Sequence, residues 1–175
     1  FGIIMLALVN NRPEVLSLHE LLQHWLNHRE SVVVRRTKFD LRKAEERAHI
    51  LEGLRIALDR IDEVVALIRA SKDAETARTG LMSTFGLSEL QASAILEMRL
   101  QRLTGLERQK VEDEYQELLK LIGELKAILA DRARVLEVIR TEILEVRDAY
   151  GDERKTEIVD AGPADFNVED LIAEE

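Results

Sequence analysis

Five basic side chains crowd nine positions of this chain: Arg35, Arg36, Lys38, Arg42 and Lys43. Such a cluster can neutralise a phosphate backbone by charge alone, without reading bases. Asp40, Glu45 and Glu46 lie among and just after them. Local i,i+3 and i,i+4 pairing on a solvated helix is the weightier account when only the residues are considered. His19, His24 and His28 also lie close together. Glu20, His24 and His28 follow i, i+4 and i+8, and helical positions i and i+8 stand about 12 Å apart along the axis. They cannot share one ion, and Gln23 occupies the place where an H-E-x-x-H pair would need its second histidine. Tyr115 and Tyr150 are possible nucleophiles by type, but both fall at heptad core positions, so packing explains them. The sequence contains no G-x-x-x-x-G-K loop and no Ser/His/acid arrangement with interpretable spacing. These residues do not make a self-contained enzyme, and no catalytic or metal-ligating residue is assigned.

What positions the basic cluster is a strongly helical chain. It has 175 residues, 34% charged and 4% aromatic, with a formal charge of −9 and no cysteine. That mix favours long helices, and the missing cysteine removes disulfide frameworks and thiolate sites. Residues 151–175 hold two basic and nine acidic groups, together with Gly162 and Pro163. They read as an acidic linker and carry most of the charge, so the body keeps room for an anionic partner. The apolar run Ile3–Val9 is too short to span a bilayer and has no basic flank, so no membrane partner and no signal peptide are expected. A first residue of Phe1 rather than Met suggests a piece of a longer chain.

Gly2–Val9, the turn Asn10-Asn11-Arg12-Pro13 and the short extended piece Glu14–Leu16 predict a β-hairpin. Two strands alone are marginal in water, so further sheet partners are expected upstream. Ser17 and Glu20 form a capping box that starts a helix at Leu18, which the β-branched stretch Ser31–Val34 could interrupt. From about Arg35 to Ala70, Ala44, Leu51, Leu58 and Val65 fall at heptad a. Arg47, Leu54, Ile61 and Ile68 fall at d. From Leu106 to Tyr150 the a positions are Val111, Leu118, Leu125, Arg132, Ile139 and Val146. The d positions are Tyr115, Ile122, Leu129, Leu136, Ile143 and Tyr150. Only Arg47 and Arg132 break the pattern, which argues for a coiled coil. Two matched helices of about 55–65 Å assemble most simply as an antiparallel hairpin.

The residues between them form a small helical tip. Asp73 caps a helix of about Ala74–Ser83, Phe85-Gly86 ends it, and Ser88/Gln91 and Thr104/Glu107 are two more capping boxes. The helix from Glu89 to about Arg102 carries Ala92, Leu96, Leu100 and Leu103 on one face and Leu90, Ala94, Ile95 and Met98 on others. That is more apolar surface than a tiny tip is expected to cover. A second copy of the chain is the simplest partner, because a two-fold contact needs only itself. The competing account is a self-contained spacer.

The sequence from Val34-Arg35-Arg36-Thr37-Lys38-Phe39-Asp40-Leu41-Arg42-Lys43-Ala44-Glu45-Glu46-Arg47-Ala48-His49-Ile50 through Leu51-Glu52-Gly53-Leu54 resembles the DNA gyrase A-subunit family of type IIA topoisomerases. So do Ile61-Asp62-Glu63-Val64, Gln91-Ala92 with Ala94-Ile95-Leu96-Glu97-Met98-Arg99-Leu100, Arg102-Leu103-Thr104-Gly105-Leu106-Glu107, and Gly151-Asp152-Glu153-Arg154-Lys155-Thr156-Glu157-Ile158. Phe1-Gly2-Ile3-Ile4-Met5-Leu6 matches the end of the family's tower. The topoisomerase IV A subunit is the close alternative.

The resemblance implies a mainly α fold with five parts. Residues 1–34 would be the tower end, 35–71 the ascending coiled-coil helix and 72–106 a globular tip forming an exit-gate dimer contact. Residues 107–150 would be the return helix, and 151–175 an acidic linker toward a further domain. It places the dimer contact at Gln91, Ile95, Met98, Arg99, Arg102, Leu103 and Thr104, and DNA near Arg35, Arg36 and Lys38. It further implies a homodimer joined to the gyrase B subunit in an A2B2 enzyme of the cytoplasm and nucleoid. That enzyme would cleave, pass and religate double-stranded DNA to introduce negative supercoils. The catalytic tyrosine would lie outside this chain. ATP and Mg2+ would be held by the partner subunit, leaving no cofactor here.

Overall fold

The computed structural model describes residues 3–98 and 105–156, residues 105–107 by their backbone. Two strands, β1 (Met5–Val9) and β2 (Arg12–Leu16), pair antiparallel with Met5 opposite Leu16 and Val9 opposite Arg12. Asn10 and Asn11 turn the chain with φ of 50° and 64°. A two-residue hairpin loop whose twist suits the strands needs positive φ at both positions, and asparagine tolerates it. The second strand begins earlier than the sequence pattern suggests. Pro13 lies inside it, opposite Leu8, which is possible because a two-stranded sheet consists only of edges.

Among the described residues six helices follow: α1 (Leu18–Asp59), α2 (Ile61–Ala70), α3 (Ala74–Phe85), α4 (Glu89–Leu96), α5 (Gly105–Ala130) and α6 (Arg132–Tyr150). α1 starts at the expected capping box: the Glu20 N–H donates to Ser17 Oγ at 3.3 Å and Glu20 Oε2 accepts from the Ser17 N–H at 2.8 Å. It then runs 42 residues, about 63 Å. The β-branched stretch Ser31–Val34 does not interrupt it. Val33 is fully buried against Val135 and Ile139, and that packing overrides a weak local propensity.

The chain divides into two compact units, residues 1–141 and 142–175. In the first, α1 and α5 form the expected antiparallel pair. Ala44 and Ala48 pack with Ile122, beside Leu118 and Tyr115. Cross-helix ion pairs join Glu45 to Lys126 at 2.8 Å, Arg55 to Glu112 at 3.7 Å and Asp59 to Arg108 at 3.2 Å, numbers rising on one helix as they fall on the other. Both heptad exceptions have partners. Arg47 makes a two-pronged ion pair with Glu114, at 2.7 and 3.0 Å. Arg132 does the same with Glu30, at 3.0 and 2.7 Å.

Both long helical segments break where the heptad pattern runs on. The ascending one stops at Arg60, whose backbone (φ −119°, ψ 38°) leaves the helix. Its guanidinium lies 4.7 Å from the centre of the Phe85 ring and pairs with Glu63. The break rephases α2, so Val64 is its buried residue instead of Val65. The return helix breaks at Asp131, whose Oδ1 accepts the Ala133 N–H at 2.8 Å and so restarts the chain as α6.

α2, α3 and α4 fold around the far end of α1. Asp73 caps α3 by accepting the Thr76 N–H at 2.7 Å, and Gly86 ends it in the left-handed conformation at φ 67°. Leu51, Leu54, Leu58, Val64, Leu81, Leu87, Ala92, Ile95 and Val111 form the largest core. Each of the leucine, isoleucine and valine side chains among them contributes roughly 1.5–3 kcal/mol before entropy is subtracted. α4 ends at Leu96, shorter than the expected Glu89–Arg102, where an i→i+3 bond from the Met98 N–H to the Ile95 carbonyl tightens its last turn.

The second unit contains the end of α6. The heptad pattern continues there through Ile143, Val146 and Tyr150, yet all three are exposed, Tyr150 by 81%. The core role expected for Tyr150 is therefore incorrect. Periodicity marks a seam that can be buried; it does not supply the helix that buries it.

Candidate functional site

The basic cluster lies on α1, and its exposure follows from the seam. Val33, Thr37, Ala44 and Ala48 turn inward at helical spacing, with Thr37 Oγ1 donating to the Val33 carbonyl at 2.8 Å. Arg35, Arg36 and Lys38 fall off that stripe and are exposed. Arg35 Nε donates to the Ser31 carbonyl at 3.4 Å. The other two members of the cluster pair locally, as the residues alone suggest. Lys43 and Arg42 reach Glu46 at 3.0 and 3.8 Å, and the Arg42 guanidinium also sits 5.4 Å from the centre of the exposed Phe39 ring.

The residues expected at a dimer contact divide. Ile95 is 3% exposed and Gln91 5%, and both are used inside the protomer. Met98 is half-buried against the same core. Arg99, Arg102, Leu103 and Thr104 lie outside the described residues, as does the Thr104/Glu107 capping box. α4 is held by both α1 and α3, so Ala92 and Ile95 are covered within the chain, while Leu100 and Leu103 lie outside the described residues. Leu90 on α4 stays 69% exposed, and Met82 on α3 37%.

The sequence pattern misses the polar joint that fixes α4. His49 lies at heptad f, nominally the solvent side. In the fold its Nε2 is 2.7 Å from Ser88 Oγ, the N-cap oxygen of α4. Gln91 Nε2 donates to the His49 carbonyl at 2.7 Å. Gly53, one turn further along α1, lets this happen: a Cβ there would lie 2.6 Å from Cβ and Cγ of Gln91. A glycine within a long helix costs about 1 kcal/mol against alanine. Gly53 is thus the readable signal that something packs on this side.

At the other end of α1, the hairpin and the helix enclose an open pocket of about 420 Å³ lined by Ala7, Leu8, Val9, Leu16, His24, Trp25 and His28. Among the described residues no three His, Asp or Glu side chains gather to hold a metal ion. No described helix is long and apolar enough to cross a membrane.

A family model for the DNA gyrase/topoisomerase IV A subunit matches residues 1–144. The DNA gyrase A subunit of Clostridium acetobutylicum is 62% identical over 175 residues, all of this chain and 21% of the relative. The corresponding protein of Halalkalibacterium halodurans is 62% identical over 172 residues, 98% of this chain and 20% of the relative. That of Staphylococcus aureus is 57% identical over 175 residues, again the whole chain and 20% of the relative. The chain spans about a fifth of the length of these curated relatives. On these matches, the chain belongs to the DNA gyrase/topoisomerase IV A-subunit family.

Proposed function

We propose that this chain is the coiled-coil arm and dimerisation tip of a gyrase-type A subunit, a non-catalytic portion of an ATP-dependent type II topoisomerase. The observation that carries the reading is 57–62% identity along essentially the whole chain to proteins named as the A subunit of DNA gyrase. The geometry is compatible with it. Two antiparallel helices make a stiff spacer, and a compact helical tip closes one end. The dimer contact falls to the C-terminal end of α4, with Met98 and the segment 99–104, together with the exposed Leu90. A gate that must hold two DNA ends together yet open in each cycle suits a modest contact surface.

In the assembled enzyme two copies of this subunit join two copies of the B subunit. The partner subunit supplies the ATP and Mg2+ sites, and the catalytic tyrosine comes from another part of the same polypeptide. Arg35, Arg36 and Lys38 line the arm where a transported duplex passes and attract it by charge. The setting is the bacterial cytoplasm, at the nucleoid. The test uses the full-length protein with its B subunit, ATP and relaxed closed-circular DNA. Negative supercoils are expected; ATP-dependent relaxation without supercoiling would indicate the topoisomerase IV role instead, and no change in topology would overturn the reading. Replacing Arg35, Arg36 and Lys38 by alanine should lower duplex affinity and reduce its salt slope by up to about three. An unchanged slope removes these residues from DNA contact.

A further inference from the structure

We propose that His49, Ser88 and Gln91 form a latch that holds α4 on α1 in a single protonation state, and that proton uptake by His49 releases it. The protonation state follows from the donors. The Ser88 N–H can only donate, and it donates to Gln91 Oε1 at 2.9 Å. That fixes the Gln91 amide, whose Nε2 is therefore the donor to the His49 carbonyl at 2.7 Å. The same Nε2 faces His49 Nδ1 at 3.4 Å. Nδ1 must then present its lone pair, and the imidazole proton sits on Nε2, donating to Ser88 Oγ at 2.7 Å. Turning the ring over would put a carbon at that distance from Ser88 Oγ, which is shorter than carbon and oxygen allow. Ser88 Oγ also accepts the Gln91 N–H at 3.2 Å, so the latch and the N-cap of α4 are one network.

A second proton on the ring must go to Nδ1. It would then point a donor at the Gln91 amide donor. Gln91 cannot turn its oxygen toward His49, because that oxygen holds the Ser88 N–H and the amide nitrogen holds the His49 carbonyl. Protonation therefore sets the charged ring against two hydrogen bonds at once. Ionised groups nearby are engaged elsewhere or exposed. On α1, Glu45 pairs with Lys126 and Glu46 with Lys43, while Glu52 is exposed. On α4, Glu89 pairs with Arg78 of α3. On α5, Glu112 and Glu114 pair with Arg55 and Arg47. Gly53 leaves Gln91 no room to retreat toward α1, so a displaced Gln91 moves α4 outward.

The latch stands on these contacts alone; its effect on the dimer rests on the function proposed above. Hydrogen exchange by mass spectrometry on the full-length protein tests it, comparing about pH 8 with about pH 5.5, the span over which histidine side chains as a class gain a proton. After correction for intrinsic exchange, α4 should lose about tenfold protection at the lower pH, the loss of one hydrogen bond's worth, while α5 stays protected. His49→Gln keeps a donor for Ser88 and has no proton to gain, so its α4 should be insensitive to pH. If that variant leaves α4 unprotected at both pH values, the need for His49 is confirmed and the wild-type profile decides the proton's part. A flat wild-type profile, equal loss in α4 and α5, or an acid loss retained in His49→Gln would overturn the proposal. Molecular mass measured on the same samples separates the two ideas. Release of α4 with the dimer intact leaves the latch standing and removes α4 from the dimer contact. An unreleased α4 sinks the latch whatever the mass.

Discussion

Gly53→Ala sets two physical effects of opposite sign against each other. Helix propensity alone makes alanine the better residue within α1, by about 0.5–1 kcal/mol. The fold makes it worse. A new Cβ would sit 2.6 Å from two carbons of Gln91 and 3.0 Å from a third, where carbon atoms prefer about 3.5–4.0 Å. One of those carbons is the Gln91 Cβ, which is tied to the backbone, so α4 itself must move by about 1 Å. Overpacking of that kind costs about 1–3 kcal/mol. A shift of that size also stretches the bond from Gln91 Nε2 to the His49 carbonyl, 2.7 Å in the native structure, and strains the joint at Ser88. Two weakened hydrogen bonds cost about 1–3 kcal/mol more. The expected balance is a loss of about 3 kcal/mol in the local stability of α4, or faster exchange of its amides by about a hundredfold under native conditions, with α5 little changed. Unchanged or slower exchange would show that propensity wins, and would refute the close packing of α4 on α1.

Leu81→Ala opens a cavity beneath α3 at a side chain that is 0% exposed, and should cost about 2–5 kcal/mol by urea midpoint; less than about 1 kcal/mol would mean the site collapses or is not a core. A double-mutant cycle on Arg47 and Glu114, both more than 40% exposed, should give a coupling of only about 0.5–1 kcal/mol that shrinks in high salt. A coupling several times larger would mean the pair is shielded from solvent. Glu30 is held below its usual value of 4.5 by hydrogen bonds from Arg132, with burial opposing. A lowered carboxylate stabilises the fold fully above its ordinary range, and that contribution disappears as pH falls through and below it. Stability measured from about pH 6 down to about pH 3 should therefore decline less steeply in Glu30→Gln than in the natural chain, and identical curves would contradict the pairing.

Much of this architecture is legible in the sequence because local signals and long-range packing agree. Ser17/Glu20, Asp73 and Ser88/Gln91 mark helix starts, Gly86 marks a stop, and each cap forms as written. The seam is legible from its 3-4 spacing, and its two polar exceptions are ion-paired to the facing helix rather than errors of register. Three things are hidden. The breaks at Arg60 and Asp131 leave the heptad spacing nearly intact, so a pattern count passes over them. The inward turn of Gln91 and Ile95 depends on α4 lying between α1 and α3, and a helical wheel of one segment cannot see two neighbours. His49 belongs to the same blind spot: a single seam assigns it to solvent, while the second packing face buries its partners. The basic cluster is visible, but which of its members pair locally depends on where Glu46 falls relative to Arg42 and Lys43.

In the function proposed above, the tip end of the arm joins two copies of the same polypeptide. Sedimentation of the full-length protein carrying Leu90→Lys with Met98→Lys tests it most directly. Leu90 is exposed and Met98 only half-buried at the edge of the core, so both lysines can keep their charges in water. Unchanged exchange protection in α3 and α5 would show the fold intact. The expected result is a fall from dimer to monomer mass at micromolar concentration, or a dissociation constant raised by at least about a hundredfold, as removing two apolar side chains from a buried interface implies. A variant that keeps its fold and its dimer mass would contradict it.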